Sequence, residues 1–274
     1  MTLVVAVVAG LLIGLSLGAL GGGGSVLAVP VLVYALGQSA SQATTGSLVV
    51  VGATSLVGAV TARRAGNVLL GRGVAFGAAA IGGAAVGARL STLVPDPVLL
   101  AAFAGLLVLV AGVMTVRQVS ARRSAGTAGG RRPRLDDPIV SFRPRFACQC
   151  PRALKVLVTA TAVGLLTGFL GVGGGFLVVP ALVLALGLPM EFAAGTSLVV
   201  ITVTSTAALA VRAGTGTHPG WALVALLTVA AVVGGYTGAR LTARVDTSRL
   251  QTAFTLLLLL VAGYTAWQAL HALV

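Results

Sequence analysis

Apolar residues fill the chain in long runs, at about residues 2–20, 26–36, 47–62, 73–90 and 98–117, and again at about 154–170, 176–186, 197–212, 221–239 and 250–272. Runs of this length with at most one charge, near an end, predict helices surrounded on all sides by lipid or protein. Each half of the chain therefore holds five segments. The second of each five, between a glycine tract and Gly37 or Gly187, is shorter than the roughly 20 residues a full crossing needs. Both are expected to be half-helices or limbs of re-entrant hairpins.

The two sets of segments are copies. Gly-Gly-Gly-Gly-Ser-Val-Leu-Ala-Val-Pro at Gly21 to Pro30 returns as Gly-Val-Gly-Gly-Gly-Phe-Leu-Val-Val-Pro at Gly171 to Pro180, 150 residues later. At that offset the match runs without a gap from Gly14/Gly164 to about Ser55/Ser205, with roughly half the positions identical, more than shared hydrophobicity produces. The expected organisation is a first transmembrane repeat over 1–117, a basic linker over 118–153 and a second repeat over 154–274. Duplicated broken helices are a recurrent mark of transporter binding sites.

Composition strengthens the membrane reading. The chain has 274 residues, of which 57% are hydrophobic and 8% charged, with a mean hydropathy of +1.07. A soluble domain of that composition would expose an enormous apolar surface, so the expected fold is all-α, a polytopic transmembrane helical bundle. Thirty-eight glycines suit close helix packing and backbone approach to a ligand. The net charge of +13 comes from arginines in short runs between apolar segments, where it orients a membrane protein and does not point to nucleic acid.

Those arginines predict a topology. Ten basic residues between Arg117 and Lys155, against Asp136 and Asp137, place the linker in the cytoplasm. With an odd number of crossings per half, Arg63, Arg64, Arg72, Arg240, Arg244 and Arg249 also fall inside, leaving Arg89 and Arg212 for the outer side. The halves are then inverted relative to each other, with both termini outside. The count does not separate six crossings plus two hairpins from ten crossings. The N-terminal run has neither a positive n-region nor an Ala-x-Ala site, and is read as mature protein.

The candidate chemistry sits in the paired motifs. Ser25 and Gly175 open the two short helices after glycine tracts, where unpaired amides and the helix dipole attract an anion. The candidate substrate site is therefore Gly21, Gly22, Gly23, Gly24 and Ser25 with Gly171, Gly173, Gly174 and Gly175; tight helix crossing is the competing use of such glycines. A second pair, Thr44-Thr45-Gly46-Ser47-Leu48 and Ala194-Gly195-Thr196-Ser197-Leu198, opens the third segments. Its hydroxyls can cap a helix or bind an oxyanion, and Ser47, Thr196 and Ser197 are taken as donors. For Thr54-Ser55 and Thr204-Ser205, bonding back to helix carbonyls is the expected use. Arg89 and Arg240 end the fourth segments in Gly-Ala-Arg-Leu, where arginine ordinarily reaches for the interface.

Several chemistries lack machinery here. No acidic residue lies in an apolar segment, so the carboxylate on which proton or sodium coupling commonly depends is missing. His218 and His271 stand apart, and Cys148 and Cys150 are a weak pair for a metal; no metal, no cofactor and no enzymatic activity are expected.

The paired glycine runs before Pro30 and Pro180, the Gly-Thr-Ser-Leu element at Gly195 to Leu198 and the hydrophilic linker between two halves resemble the TauE/SafE sulfite exporter family. The resemblance covers the chain outside residues 118–153 and is closest in the second copy. It implies a permease of the bacterial cytoplasmic membrane for sulfite, a sulfonate or another small organic or sulfur-containing anion. Working by alternating access, such a protein would have the bilayer and the anion as its partners; homo-oligomerisation is left open. The sequence also leaves open a cation-coupled carrier of a neutral or organic-acid solute, and a non-transporting scaffold or sensor. The topology makes a direct prediction: a reporter active only in the periplasm, fused after Val274, is active, and an inactive fusion would overturn it.

Overall fold

A computed structural model describes residues 2–124, 150–170, 175–213 and 219–242, together with residues 252, 256 and 259–264. The fold of the described residues is all-α, without strands. Helix α1 covers Thr2–Leu20, α2 Ser25–Pro30 with a π-helical extension over Val31–Ala35, α3 Ala40–Arg64, α4 Leu70–Ser91 and α5 Asp96–Ser124. In the second half α6 covers Cys150–Leu170, α7 Gly175–Leu186, α8 Met190–Arg212 and α9 Trp221–Thr242. Among the described residues 5 helices, α1, α3, α4, α8 and α9, are long and apolar enough to cross a membrane.

Local chemistry sets where these helices start and stop. The first α3 residue is Ala40, seven residues before the apolar run begins, because Ser39 accepts a bond from the Gln42 amide while the Gln42 side chain accepts one from the Ser39 amide. This capping box lengthens the helix through polar residues that hydropathy alone leaves out. Both short helices end on a glycine in the left-handed region, Gly37 at φ +66° and Gly187 at +65°. The Gln38 and Leu188 amides then bond back to the Leu32 and Leu182 carbonyls. Pro30 brings no N–H to the ladder, and the turns after it open to π geometry; the equivalent Pro180 is accommodated within α-helix.

Packing crosses between the halves. Along α1, Gly14 and Gly18 lie directly against the backbone of Ala231 and Gly235 on α9. Gly164 and Gly168 of α6 lie in the same way against Ala80 and Ala84 of α4. In each half, then, the first helix runs parallel to the fourth helix of the other half. Small residues let the backbones touch where lipid supplies no hydrophobic drive. The outward faces carry Leu3, Val4, Val8, Leu12 and Val229, the apolar exterior that a bilayer requires.

The third helices of the two halves cross each other. Gly52 of α3 meets Ser205 of α8, Gly58 meets Leu198, and Thr44 bonds Arg212, so α3 and α8 run antiparallel. Gly46 beside Val224 and Thr54 beside Gly235 make α3 parallel to α9, while Gly73 beside Thr196 and Gly77 beside Val203 make α4 parallel to α8. Since α1 and α3 follow the same direction as α9, the stretch Gly21–Gln38 must carry the chain back between them. The same directions put Arg63, Arg64, Arg72 and Arg240 at one end of the bundle and Arg89 and Arg212 at the other, the division inferred from the charge pattern.

Replacing Gly168 by valine drives a branched side chain into the Ala84 carbonyl, whereas Gly82 on the same bundle faces open space. Thermal unfolding in detergent is expected to show G168V destabilised by about 1–3 kcal/mol or more and G82V unchanged; equal stability of the two would contradict the backbone contact.

Candidate functional site

The glycine turn of the first half meets the start of α7 in the interior. A Cβ added to Gly22 would run into the Gly175 backbone, and one added to Gly175 would lie 2.8 Å from both the Gly22 carbonyl oxygen and the Ser25 hydroxyl. Gly21 takes φ +71°, a left-handed conformation that side chains resist, at the point where α1 turns into α2. Residues 21–25 are all buried. Of the second turn, Gly171, Gly173 and Gly174 lie outside the described residues, as do Cys148, His218, Asp246 and His271.

The expected donors are present but largely engaged. The amides of Ser25, Val26 and Leu27 bond to the carbonyls of Gly22, Gly23 and Gly24 at 3.2, 3.3 and 3.1 Å. The start of α2 is thus closed by its own glycine turn, which reduces what the helix amides alone can offer a ligand. Ser25 donates to the Gly22 carbonyl at 2.7 Å, and Ser197 donates to the carbonyls of Gly21 and, at 2.7 Å, Ala194. Ser197 therefore ties α8 of the second half to the glycine turn of the first. Ser47 donates to Thr44 at 2.9 Å. The Thr196 hydroxyl accepts the Leu69 amide at 3.1 Å, holding the residue that precedes α4.

Thr44 and Thr45 do not cap α3. They lie inside it, both donating to the Ser41 carbonyl, at 2.8 and 3.1 Å, which turns their lone pairs outward. Into that surface reaches Arg212, only 2% exposed, whose Nη1 donates to Thr44 at 2.9 Å and to Thr45 at 3.2 Å. Its Nη2 donates to Ser91 of α4. One guanidinium thus joins three helices, α3, α4 and α8, at the end of the bundle opposite Arg63 and Arg64. Sequence reasoning missed this role because Arg212 has no repeat partner: the equivalent position is Ala62. By contrast Arg89 and Arg240 are exposed, and Arg240 lies over the Tyr236 ring at 4.4 Å.

A second group departs from the sequence reading: Gln38 is not singled out in it, and the hydroxyls of Ser55 and Ser205 do not bond back to their helices as expected. Neither amide atom of Gln38, 8% exposed between α2 and α3, has a hydrogen-bond partner among the described residues. The same holds for the hydroxyls of Ser55 and Ser205, at 0% and 1% exposure. Their neighbours Thr54 and Thr204 bond back to Val50 and Val200 as expected. Unpaired polar atoms of this kind are uncommon inside proteins. Among the described residues no three His, Cys, Asp or Glu side chains gather as a metal site would need.

The family pattern described as "Sulfite exporter TauE/SafE" matches residues 6–265, nearly the whole chain. The chain belongs to that family. Two proteins of Xylella fastidiosa, from strains 9a5c and Temecula1 / ATCC 700964, are each 30% identical to it across 100% of this chain and 98% of their own length, and both are named "Probable membrane transporter protein". The Bacillus subtilis (strain 168) "Probable membrane transporter protein YdhB" is 26% identical over 84% of this chain and 86% of its own. No solved structure matches the chain. Family membership together with its long apolar helices makes this a multi-pass membrane transporter.

Within this TauE/SafE fold, the Arg212 cluster has a measurable worth. Hydrogen bonds from a charged group contribute roughly 1.5–3 kcal/mol each, so Arg212→Leu is expected to lower the unfolding temperature clearly. Arg212→Lys should recover only part, because an ammonium lacks the planar fork that serves both helices. Unfolding of R212L at the wild-type temperature would show the cluster to be energetically idle.

Proposed function

We propose that this transporter is a permease for a small oxyanion, sulfite or an organosulfonate, in a bacterial cytoplasmic membrane. The observation that carries the reading is the contact of Gly22 with Gly175, which brings the glycine turn of the first half against the first residue of α7 in the interior. A substrate held there would be reached by equivalent groups from both halves. The antiparallel α3 and α8 favour inverted repeats, the arrangement in which one half rocks against the other to expose a central site alternately to each side.

Charge favours an anion. A buried arginine lies among hydroxyls at one end, and the five acidic residues, Asp96, Asp136, Asp137, Glu191 and Asp246, all lie outside the apolar runs. Hydroxyls and glycine backbone suit an oxyanion, which accepts several bonds at once. Ser25, Ser47, Thr196 and Ser197 spend their protons on carbonyls or hold neighbouring helices in the structure, so their part in this reading is to shape the turns and to rearrange as the halves move. The family description, sulfite exporter, supports the substrate class, and the bacterial relatives support the membrane.

Purified protein in liposomes is expected to give saturable sulfite flux, compared in one panel with sulfate, thiosulfate, taurine, sulfoacetate and simple carboxylates. Flux should survive removal of residues 125–146. Transport of only neutral solutes under a sodium or proton gradient would overturn the anion reading, and loss of all flux with the linker would favour a scaffold or sensor role.

A further inference from the structure

The crossing of α3 and α8 brings repeat-equivalent helices of the two halves against each other, and it carries an unexplained pair of hydroxyls. Six serines are buried among the described residues. Four of them, Ser25, Ser47, Ser91 and Ser197, give their proton to the carbonyl three residues back. The hydroxyls of Ser55 and Ser205 have no hydrogen-bond partner among the described residues, although a helical serine can ordinarily bond back in the same way. The two occupy the same position in the repeats and lie next to the crossing, Ser205 packing on Gly52 one turn before Ser55.

A buried hydroxyl without a partner costs folding stability, and alanine would fill nearly the same space without that cost. If close helix contact were the only requirement, alanine would serve at both positions. Groups arriving in symmetric pairs on an axis between two halves are instead suited to a ligand on that axis. We propose that Ser55 and Ser205 are substrate-contacting donors, one from each half, that bind a small oxyanion as it passes the crossing of α3 and α8. The assignment rests on the anion-permease reading above and adds to it the residues that touch the cargo. Each serine offers one O–H to a different oxygen of a pyramidal or tetrahedral anion, a pattern that a spherical halide or a solute with a single acceptor does not match.

The experiment uses the full-length protein and three variants, Ser55→Ala, Ser205→Ala and the double variant, each measured for unfolding temperature and for sulfite flux in liposomes. Expected are unfolding temperatures without ligand equal to or above wild type, since an unpaired hydroxyl has been removed. Each single variant should raise the KM for sulfite several-fold. The double variant should lose at least tenfold in flux at low sulfite, together with the sulfite-induced rise in unfolding temperature. Lower stability of the variants with unchanged KM would show a structural role and overturn the assignment. A wild-type protein that carries sulfite, with an equally competent double variant, would overturn the assignment alone. Absence of any anion flux from wild type would overturn the permease reading and this inference with it.

Discussion

Direct backbone contact between helices of opposite halves is the constraint on which the rest of this structure depends. In lipid, helices gain little from hiding apolar side chains from one another, so association relies on close surfaces. Gly14 and Gly18 on α1, and Gly164 and Gly168 on α6, supply them against α9 and α4. Because each half gives its first helix to the fourth helix of the other, the bundle is interleaved. The third helices are left to cross each other, and the glycine turn before α2 is brought against Gly175, the first residue of α7. The proposed site and the scaffold thus share one cause.

Much of this could be read before any coordinates. The apolar runs located most helix ends to within a few residues, but α3 and α8 begin seven residues before their runs and α5 ends seven residues after its own. For α3 the cause is the capping box of Ser39 and Gln42, which moved Thr44 and Thr45 from a helix start to a helix interior. The repeat pointed to the glycine turns, and the charge pattern sorted the arginines between the two ends. What stayed hidden depended on which face of a helix meets which neighbour. Arg212 reads as an interfacial arginine until α3 and α4 are seen to close over it. Ser55 and Ser205 read as ordinary helix serines until their neighbours are seen to use the available carbonyls and they are not. The helix amides erred in the other direction, for Ser25 to Leu27 are occupied by the glycine carbonyls before them.

The duplication is faithful in its packing and uneven in its polar groups. Gly37 and Gly187 end their helices almost identically, yet Pro30 is followed by π-helix and Pro180 by α-helix. Arg212 at one end faces Thr44, Thr45 and Ser91, while the equivalent place on the other side belongs to Ala62. A perfectly symmetric pair of halves would present a solute with the same surroundings from either face. Here the described helices pair alike in the two halves, while the polar groups at the two ends differ.

The interleaving also bears on how the protein is made. Ribosomes deliver the first half before the second, so α1 and α4 enter the membrane with their glycine-lined faces uncovered, and their partners α9 and α6 are still to be synthesised. The first half therefore cannot mature as a finished unit. It must wait in the bilayer, or in the keeping of the insertion machinery, until the chain beyond the linker arrives.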